Sequence, residues 1–176
     1  FIFSQNDNSL LWKVSGNNLQ KPSYIFGTIH MICENDYFLL PEVEEALNKS
    51  DALITEINFG NMEEMMIMQK SVQTDIPLKE RTTSEQYEKL SLLLKQKLNM
   101  DIEGLDKVSD AGIASLITMK AFACESIKMY EIELLQKAMA NKKALAGLET
   151  ITEQMQIMQE HLSIDASIVM IEDIGS

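Results

Sequence analysis

The sequence is short of several residue types, and each shortage excludes a class of protein. Among its 176 residues only seven are Gly and three are Pro, which excludes a collagen-like chain and argues against a disordered linker. Two Cys are too few for a small disulfide scaffold. No apolar run approaches the roughly 18 residues that a membrane-spanning helix needs. With 45% hydrophobic residues, we expect one globular domain over residues 1–176 with a substantial core.

Basic residues are also scarce. Fifteen Lys and Arg stand against 27 Asp and Glu, which gives a formal net charge of −12. A surface with this negative charge repels phosphate groups, so we expect no nucleic-acid partner. We expect association with a membrane only through a lipid anchor.

The first residues, FIFSQNDNS, have neither the basic start nor the long apolar stretch of a signal peptide. We therefore expect that any signal peptide has been removed.

The two cysteines, Cys33 and Cys124, form no C-x-x-C pair and cannot build a structural zinc site by themselves. One alternative is a disulfide, which would stabilise the fold by about 4 kcal/mol in the chain-entropy model. The other is a pair of separately buried thiols, since cysteine is among the most buried residue types. Their spacing leaves both alternatives open.

Strand patterns occur in the amino-terminal part of the chain and again near its other end. LLWKV and SYIFGTI are rich in β-branched and aromatic residues, and the turn-forming segment SGNNLQKP between them predicts a β-hairpin. Pro41 opens a predicted helix, PEVEEALNKS, and DALITEINF follows it as a buried strand. Near the other end, KALAGLE is predicted to be a strand, and Thr150 or Thr152 can cap a last helix through TEQMQIMQEHL.

Between these strands, over residues of about 61–143, the apolar positions recur at helical spacing, with breaks near 75–83 and 99–105. We interpret this stretch as an insertion of four helices. The sequence therefore predicts an α/β fold, in which an amino-terminal hairpin and further strands form one sheet interrupted by a helix-rich insertion.

Three polar residues are expected at sheet edges, and they are the candidate site. His30 ends the predicted strand YIFGTIH, Glu56 lies within ALITEINF, and Glu149 follows ALAGL. A carboxylate that faces the interior is costly unless it is paired, hydrogen-bonded or bound to a metal. One imidazole and two carboxylates suit manganese, cobalt, iron or zinc, and such an ion can activate water for hydrolysis. The arrangement predicts a site only if all three converge.

Each of these residues also has a structural interpretation. A lone histidine at a strand end, or a glutamate bonded to backbone amides, is more often structural than catalytic.

His161, at the end of a predicted helix, is interpreted as solvated or helix-terminal and is left out of the site. A group of methionines at helical spacing favours core packing, with an adaptable substrate-facing surface as the alternative; its members are Met62, Met65, Met66, Met68, Met155 and Met158.

Three segments together identify a family resemblance. KPSYIFGTIH, PEVEEALNKSDALITEIN and KKALAGLETITEQMQ, in this order, resemble the TraB/GumN family, which includes the TIKI Wnt-inactivating metalloproteases. The likeness is greatest to exported bacterial members and runs from about residue 10 to the end. Gly27 and His30 match the family's first G-x-x-H motif, Glu56 its acidic position, and Gly147 with Glu149 its G-L-E-T motif.

The resemblance implies a fold like that of erythromycin esterases and of the haem-binding lipoprotein ChaN, and it implies metal-dependent proteolysis with manganese or cobalt. A second G-x-x-H motif near the family's carboxyl terminus does not occur here, because the sequence stops at IEDIGS. We interpret the chain as the amino-terminal part of a longer domain, which would pair with the missing portion or with a second copy in a homodimer.

We therefore expect an extracytoplasmic protein, located in the periplasm, secreted, or attached to the cell surface as a lipoprotein. Its expected function is metal-dependent hydrolysis of a peptide or protein substrate. His30, Glu56 and Glu149 are expected to act both as ligands of Mn, Co or Zn and as catalytic residues. The resemblance also favours a disulfide between Cys33 and Cys124. The alternatives are a non-catalytic module that binds a peptide or a haem-like ligand, and an interaction protein with a decayed site.

Overall fold

A computed structural model describes residues 9–122 and 124–175 of the chain. These residues form two compact units. The first unit contains the described residues up to 55 together with 124–146, and the second contains 56–122 together with 147–175. Each unit has its own helices and is described separately below.

The helices and strands of the described residues follow one another in this order: β1 (Leu11–Val14), β2 (Ser23–Phe26), β3 (Ile32–Cys33), α1 (Pro41–Lys49), β4 (Ala52–Thr55), α2 (Met62–Ser71), α3 (Leu78–Arg81), α4 (Ser84–Leu98), α5 (Asp110–Ala121), β5 (Ile127–Lys128), α6 (Tyr130–Ala140), β6 (Ala144–Gly147), α7 (Ile151–His161) and α8 (Ile164–Asp173). Single 3-10 turns occur at Glu34–Asp36 and Ile102–Leu105. This mixture of helices and strands confirms the predicted α/β class.

The predicted amino-terminal hairpin is present in the first unit. Strands β1 and β2 pair antiparallel, with Leu11 opposite Phe26 and Val14 opposite Ser23. Gly16, Asn17 and Asn18 turn the chain at positive φ angles of 97°, 47° and 66°. Glycine and asparagine are the residues that adopt this conformation at least cost, which explains why the segment forms a turn.

Helices α1 and α6 form the core of the first unit. Pro41 begins α1, as predicted, and Val43 and Leu47 on its buried face pack with Leu134 and Ala138 of α6. Strand β3 pairs antiparallel with β5, where Cys33 lies opposite Ile127. A disulfide joins Cys33 to Cys124, with their Cα atoms 5.8 Å apart. The bridge favoured by the family resemblance is therefore confirmed.

The second unit is built from helices around a larger apolar core. Leucines of α4 and isoleucines of α5 and α8 supply most of the fully buried side chains, which include Leu90, Leu94, Ile113, Ile117 and Ile171. Thr83 caps the start of α4 in a capping box. Its hydroxyl accepts a hydrogen bond from the backbone N–H of Gln86, and the Gln86 side chain accepts one from the backbone N–H of Thr83. Asn99, at φ 51°, ends α4 in the left-handed conformation typical of helix ends.

Four details of the predicted architecture are wrong. The described strands pair in twos, as β1 with β2, β3 with β5 and β4 with β6, and not in one sheet. The break expected near 75–83 contains the single-turn helix α3, and the insertion predicted to consist of four helices also contains strand β5. Helix α8 was not predicted at all. Strand partners and short elements depend on distant residues, which a local pattern does not reveal.

The core-packing interpretation of the methionines is also wrong for helix α2. No residue of α2 is fully buried. Met62 is 78% exposed and Met66 51% exposed, while Met65 and Met68 are half-buried. Thioether side chains thus form part of the surface of the second unit.

Among the described helices, none combines the length and the apolar composition required to cross a bilayer.

Candidate functional site

Glu56 and Glu149, two of the three predicted site residues, lie side by side in the second unit. The backbone carbonyl of Glu56 accepts hydrogen bonds from the amides of Leu148 (3.0 Å) and Glu149 (2.9 Å). The side-chain amide of Gln154 donates to both carboxylates, at 3.4 Å to Glu56 and 3.3 Å to Glu149. Two carboxylates that are 93 positions apart in the sequence, as their numbers give, therefore share one hydrogen-bond donor.

Both carboxylates are exposed to solvent, which corrects the expectation for Glu56. The strand that precedes it ends at Thr55, so Glu56 lies just beyond the strand and not within it. Its side chain therefore does not face an apolar interior. An exposed pair of carboxylates carries no cost of burial, and it is accessible to a cation or a substrate.

Gly147 makes this arrangement possible. A β-carbon at residue 147 would lie 2.8 Å from the backbone nitrogen of Asn58 and 3.3 Å from the carbonyl oxygen of Glu56. Only glycine permits so close an approach of the two backbones. At Gly27, by contrast, an added β-carbon would meet nothing nearer than 3.9 Å. Of the two glycines in the family motifs, Gly147 is therefore the one that packing requires.

The first turn of α7 fixes the position of Gln154. Thr150 caps the helix, with its hydroxyl accepting from the Glu153 amide while the Glu153 side chain accepts from the Thr150 amide. Glu64 of α2 accepts the Ile151 amide proton at 2.7 Å. Hydrogen bonds from the backbone and side chain of Thr150 hold the pKa of Glu153 below its usual range. The predicted capping by Thr150 is confirmed, and this cap orients the residue that contacts both carboxylates.

His30 belongs to the first unit. Strand β2 ends at Phe26, so His30 lies in the loop after the strand and does not end it, contrary to the expectation. The imidazole is 67% exposed, and its Nδ1 atom lies 3.6 Å from Oε1 of Glu131. The convergence of His30 with the two carboxylates of the second unit stays a prediction.

Glu131 is a residue that the sequence reasoning missed. It is only 7% exposed, and its Oε1 accepts a hydrogen bond of 2.7 Å from the Thr28 hydroxyl. A signal was present in the sequence, because Glu131, Leu134 and Ala138 share the buried face of α6 at helical spacing. An acidic residue in a buried stripe marks a position where a carboxylate has a specific partner or function.

His161 ends α7 and is exposed, as expected of a helix-terminal histidine.

Within residues 9–122 and 124–175, no group of three or more His, Cys, Asp and Glu side chains is arranged to hold a metal ion. Carboxylate oxygens, such as those of Glu56 and Glu149, are ligands of the kind that manganese and zinc accept. The pair fits a divalent ion chemically, and a further ligand has to come from outside it.

The sequence pattern that defines the TraB/PrgY/gumN family matches residues 10–175. The chain belongs to this family. The match includes His30, Glu56 and Glu149, and it confirms the resemblance given by G-T-I-H and G-L-E-T. No curated protein matches this chain, and no solved structure does. Membership of the TraB/PrgY/gumN family therefore stands on the sequence pattern itself.

Proposed function

We propose that this TraB/PrgY/gumN family member is a metal-dependent hydrolase that cleaves peptide bonds. The observation that carries the proposal is the pair of carboxylates, Glu56 and Glu149, joined by the side-chain amide of Gln154. We assign His30 as the imidazole ligand, because it matches the family's G-x-x-H motif. The proposed ion is Mn²⁺, Co²⁺ or Zn²⁺.

A bound divalent ion supplies Lewis-acid chemistry, polarising a substrate carbonyl and lowering the pKa of water. Among the protein's own groups, the carboxylate that is not a ligand acts as general base and accepts a proton from the attacking water. The same group then delivers this proton to the departing amine. Gln154 keeps the two carboxylates oriented, since its amide donates to both of them.

Exposed apolar side chains of the second unit support a polypeptide substrate. Leu148, which immediately precedes Glu149, is 75% exposed. In the same unit, Met62 at the start of α2 is 78% exposed. Exposed apolar side chains can contact the side chains of an extended peptide, and thioethers adapt to different shapes.

An extracytoplasmic location is part of the proposal. The Cys33–Cys124 disulfide supports it, because such bonds persist mainly in oxidising compartments such as the periplasm and the cell exterior. We propose further that any contact with a membrane is made through a lipid anchor, and that association with a second copy or with a further segment of the domain completes the site.

The test is cleavage of a peptide library followed by mass spectrometry. The protein is first stripped with a chelator and then supplied with Mn²⁺, Co²⁺ or Zn²⁺. We expect metal-dependent cleavage that is lost in His30→Ala, Glu56→Gln and Glu149→Gln. Glu63→Gln, which changes an exposed glutamate in the first turn of α2, serves as the matched control. Cleavage that is undiminished in His30→Ala would refute the assignment.

A non-catalytic binding module is the second candidate, and the exposed methionines Met62 and Met66 favour it. In such a module the same surface retains a peptide or a haem-like ligand without turnover. Retention of library peptides by the metal-loaded protein, with no cleavage products after prolonged incubation, would replace the hydrolase with this function.

A further inference from the structure

Glu131 carries a buried carboxyl group with few hydrogen-bond partners. It is 7% exposed, and its Oε1 accepts one hydrogen bond from Thr28. Its Oε2 is buried and makes no hydrogen bond with the described residues. Burial of a carboxylate is unfavourable unless an opposite charge or several hydrogen-bond donors compensate it. The position therefore calls for an explanation other than packing.

The loop that follows β2 faces this carboxylate with two side chains. Thr28 donates its hydroxyl proton to Oε1 over 2.7 Å, and Nδ1 of His30 lies 3.6 Å from the same oxygen. Thr28 thus fixes the carboxylate, and the imidazole presents one particular nitrogen to it. His30 itself is largely exposed, so the contact involves a buried acid and one edge of an accessible ring.

Helix α6 holds Glu131 rigidly. The residue lies in the first turn of the helix, and Leu134 and Ala138 on the same face are packed in the core of the first unit. A negative charge near a helix amino terminus is favoured by the helix dipole. Because Glu131 is buried, the interaction of its carboxylate with a nearby N–H is stronger than it would be at the surface.

We propose that Glu131 is the positioning residue for His30, a role that rests on the proposed function of His30 as a metal ligand. The carboxylate favours the tautomer that carries the proton on Nδ1, which leaves the lone pair on Nε2. Histidines that bind metals commonly donate the other ring N–H to a carboxylate, which orients the ring and raises its basicity. Glu131 acts through His30 and does not contact the substrate.

The tautomer is measured by ¹⁵N-detected NMR of the imidazoles in the metal-free protein, at a pH where the ¹⁵N shifts of both rings no longer change with pH. The chain contains only two histidines, and the exposed His161 serves as the internal reference. We expect His30 to be mainly the Nδ1–H tautomer. In Glu131→Leu we expect it to become mainly Nε2–H, and in Thr28→Val, where the carboxylate loses its fixed hydroxyl, we expect an intermediate population.

Glu133→Leu is the matched control, because Glu133 lies on the same helix but accepts its hydrogen bond from Lys128, at 2.9 Å. This variant should leave the His30 tautomer unchanged. A second readout is the affinity for Mn²⁺, which we expect Glu131→Leu to weaken by about 10- to 100-fold, as is usual for the partner of a metal-binding histidine.

The tautomer readout separates this inference from the proposed function. If wild-type His30 is Nδ1–H and Glu131→Leu reverses it, the positioning role holds even where no peptide is cleaved. If wild-type His30 is mainly Nε2–H, or if Glu131→Leu leaves the tautomer unchanged, the role is overturned even where metal-dependent cleavage is observed.

Discussion

Gly147 approaches Asn58 so closely that a β-carbon on residue 147 would lie 2.8 Å from the Asn58 backbone nitrogen. Real β-carbons essentially never come within 3.0 Å of such an atom. The close approach occurs where the Leu148 and Glu149 amides bond to the carbonyl of Glu56. The packing of these two backbones thus brings Glu149 next to Glu56.

The first prediction is that Gly147→Ala destabilises the protein. The added methyl group must displace backbone atoms, and such overpacking costs about 1 to 3 kcal/mol. Urea denaturation should therefore show a lower midpoint at an unchanged slope. Gly104→Ala is the control, because a β-carbon at residue 104 would meet nothing within 4 Å. Equal midpoints for the two variants would contradict the close approach.

The second prediction concerns Gln154, whose amide is the donor shared by Glu56 and Glu149. Gln154→Leu keeps the volume of the side chain but removes both hydrogen bonds, so the carboxylates lose their common orientation. We expect metal-dependent peptide cleavage to fall by about 10- to 100-fold, the usual effect of removing a residue that orients metal ligands. The measurement is the rate of cleavage of one library peptide at saturating Mn²⁺.

Gln156→Leu is the control for this change. Gln156 is exposed on the same helix, so its replacement tests whether an added leucine on α7 affects the rate by itself. A rate in Gln154→Leu that equals the rate in Gln156→Leu would show that the shared amide does not orient the acids.

The part of this fold that could be predicted from the sequence is the part that neighbouring residues determine. The turn at Gly16, Asn17 and Asn18, the helix start at Pro41 and the cap at Thr150 all depend on the conformational preference of residues within one or two turns. Glu56 and Glu149 could be recognised as candidates for the same reason, since Glu56 lies within an apolar strand pattern and Glu149 directly follows one.

Non-local contacts account for the strand pairing and the buried acid that were missed, but not for helix α8. The pairing of β3 with β5 joins segments about 95 residues apart, as the register of Ile32 with Lys128 gives, and no local pattern encodes such a partner. Glu131 has the spacing of a buried residue, but its partner Thr28 lies 103 residues away. Helix α8 has a regular apolar spacing in Ile164, Ile168 and Ile171, so it was predictable from periodicity and was overlooked.

The third prediction is that the Cys33–Cys124 disulfide contributes much of the stability. The bridge closes a loop across a sequence separation of 91, and a loop of this size is worth about 4 to 5 kcal/mol in the chain-entropy model. We expect a reducing agent to lower the urea midpoint of the wild-type protein substantially. The double variant Cys33→Ser/Cys124→Ser should already have the lower midpoint without reductant and should not respond to it. A wild-type midpoint that is independent of reductant would contradict this contribution.

The fourth prediction is a loss of stability at acid pH that originates at the start of α7. The Thr150 amide and hydroxyl donate to the Glu153 carboxylate and lower its pKa in the folded protein. A group whose folded pKa is lowered stabilises the protein above its unfolded pKa, about 4.3 for glutamate, and this stabilisation disappears as pH falls through the folded pKa. Glu153→Gln keeps an acceptor for the cap but carries no charge. The wild type should therefore be more stable than this variant at about pH 6, and the two should approach each other near pH 3.

Glu160→Gln, at an exposed position of the same helix, controls for the general effect of removing one negative charge. A wild-type advantage over Glu153→Gln that is the same at both pH values would show that the carboxylate charge has no part in capping α7.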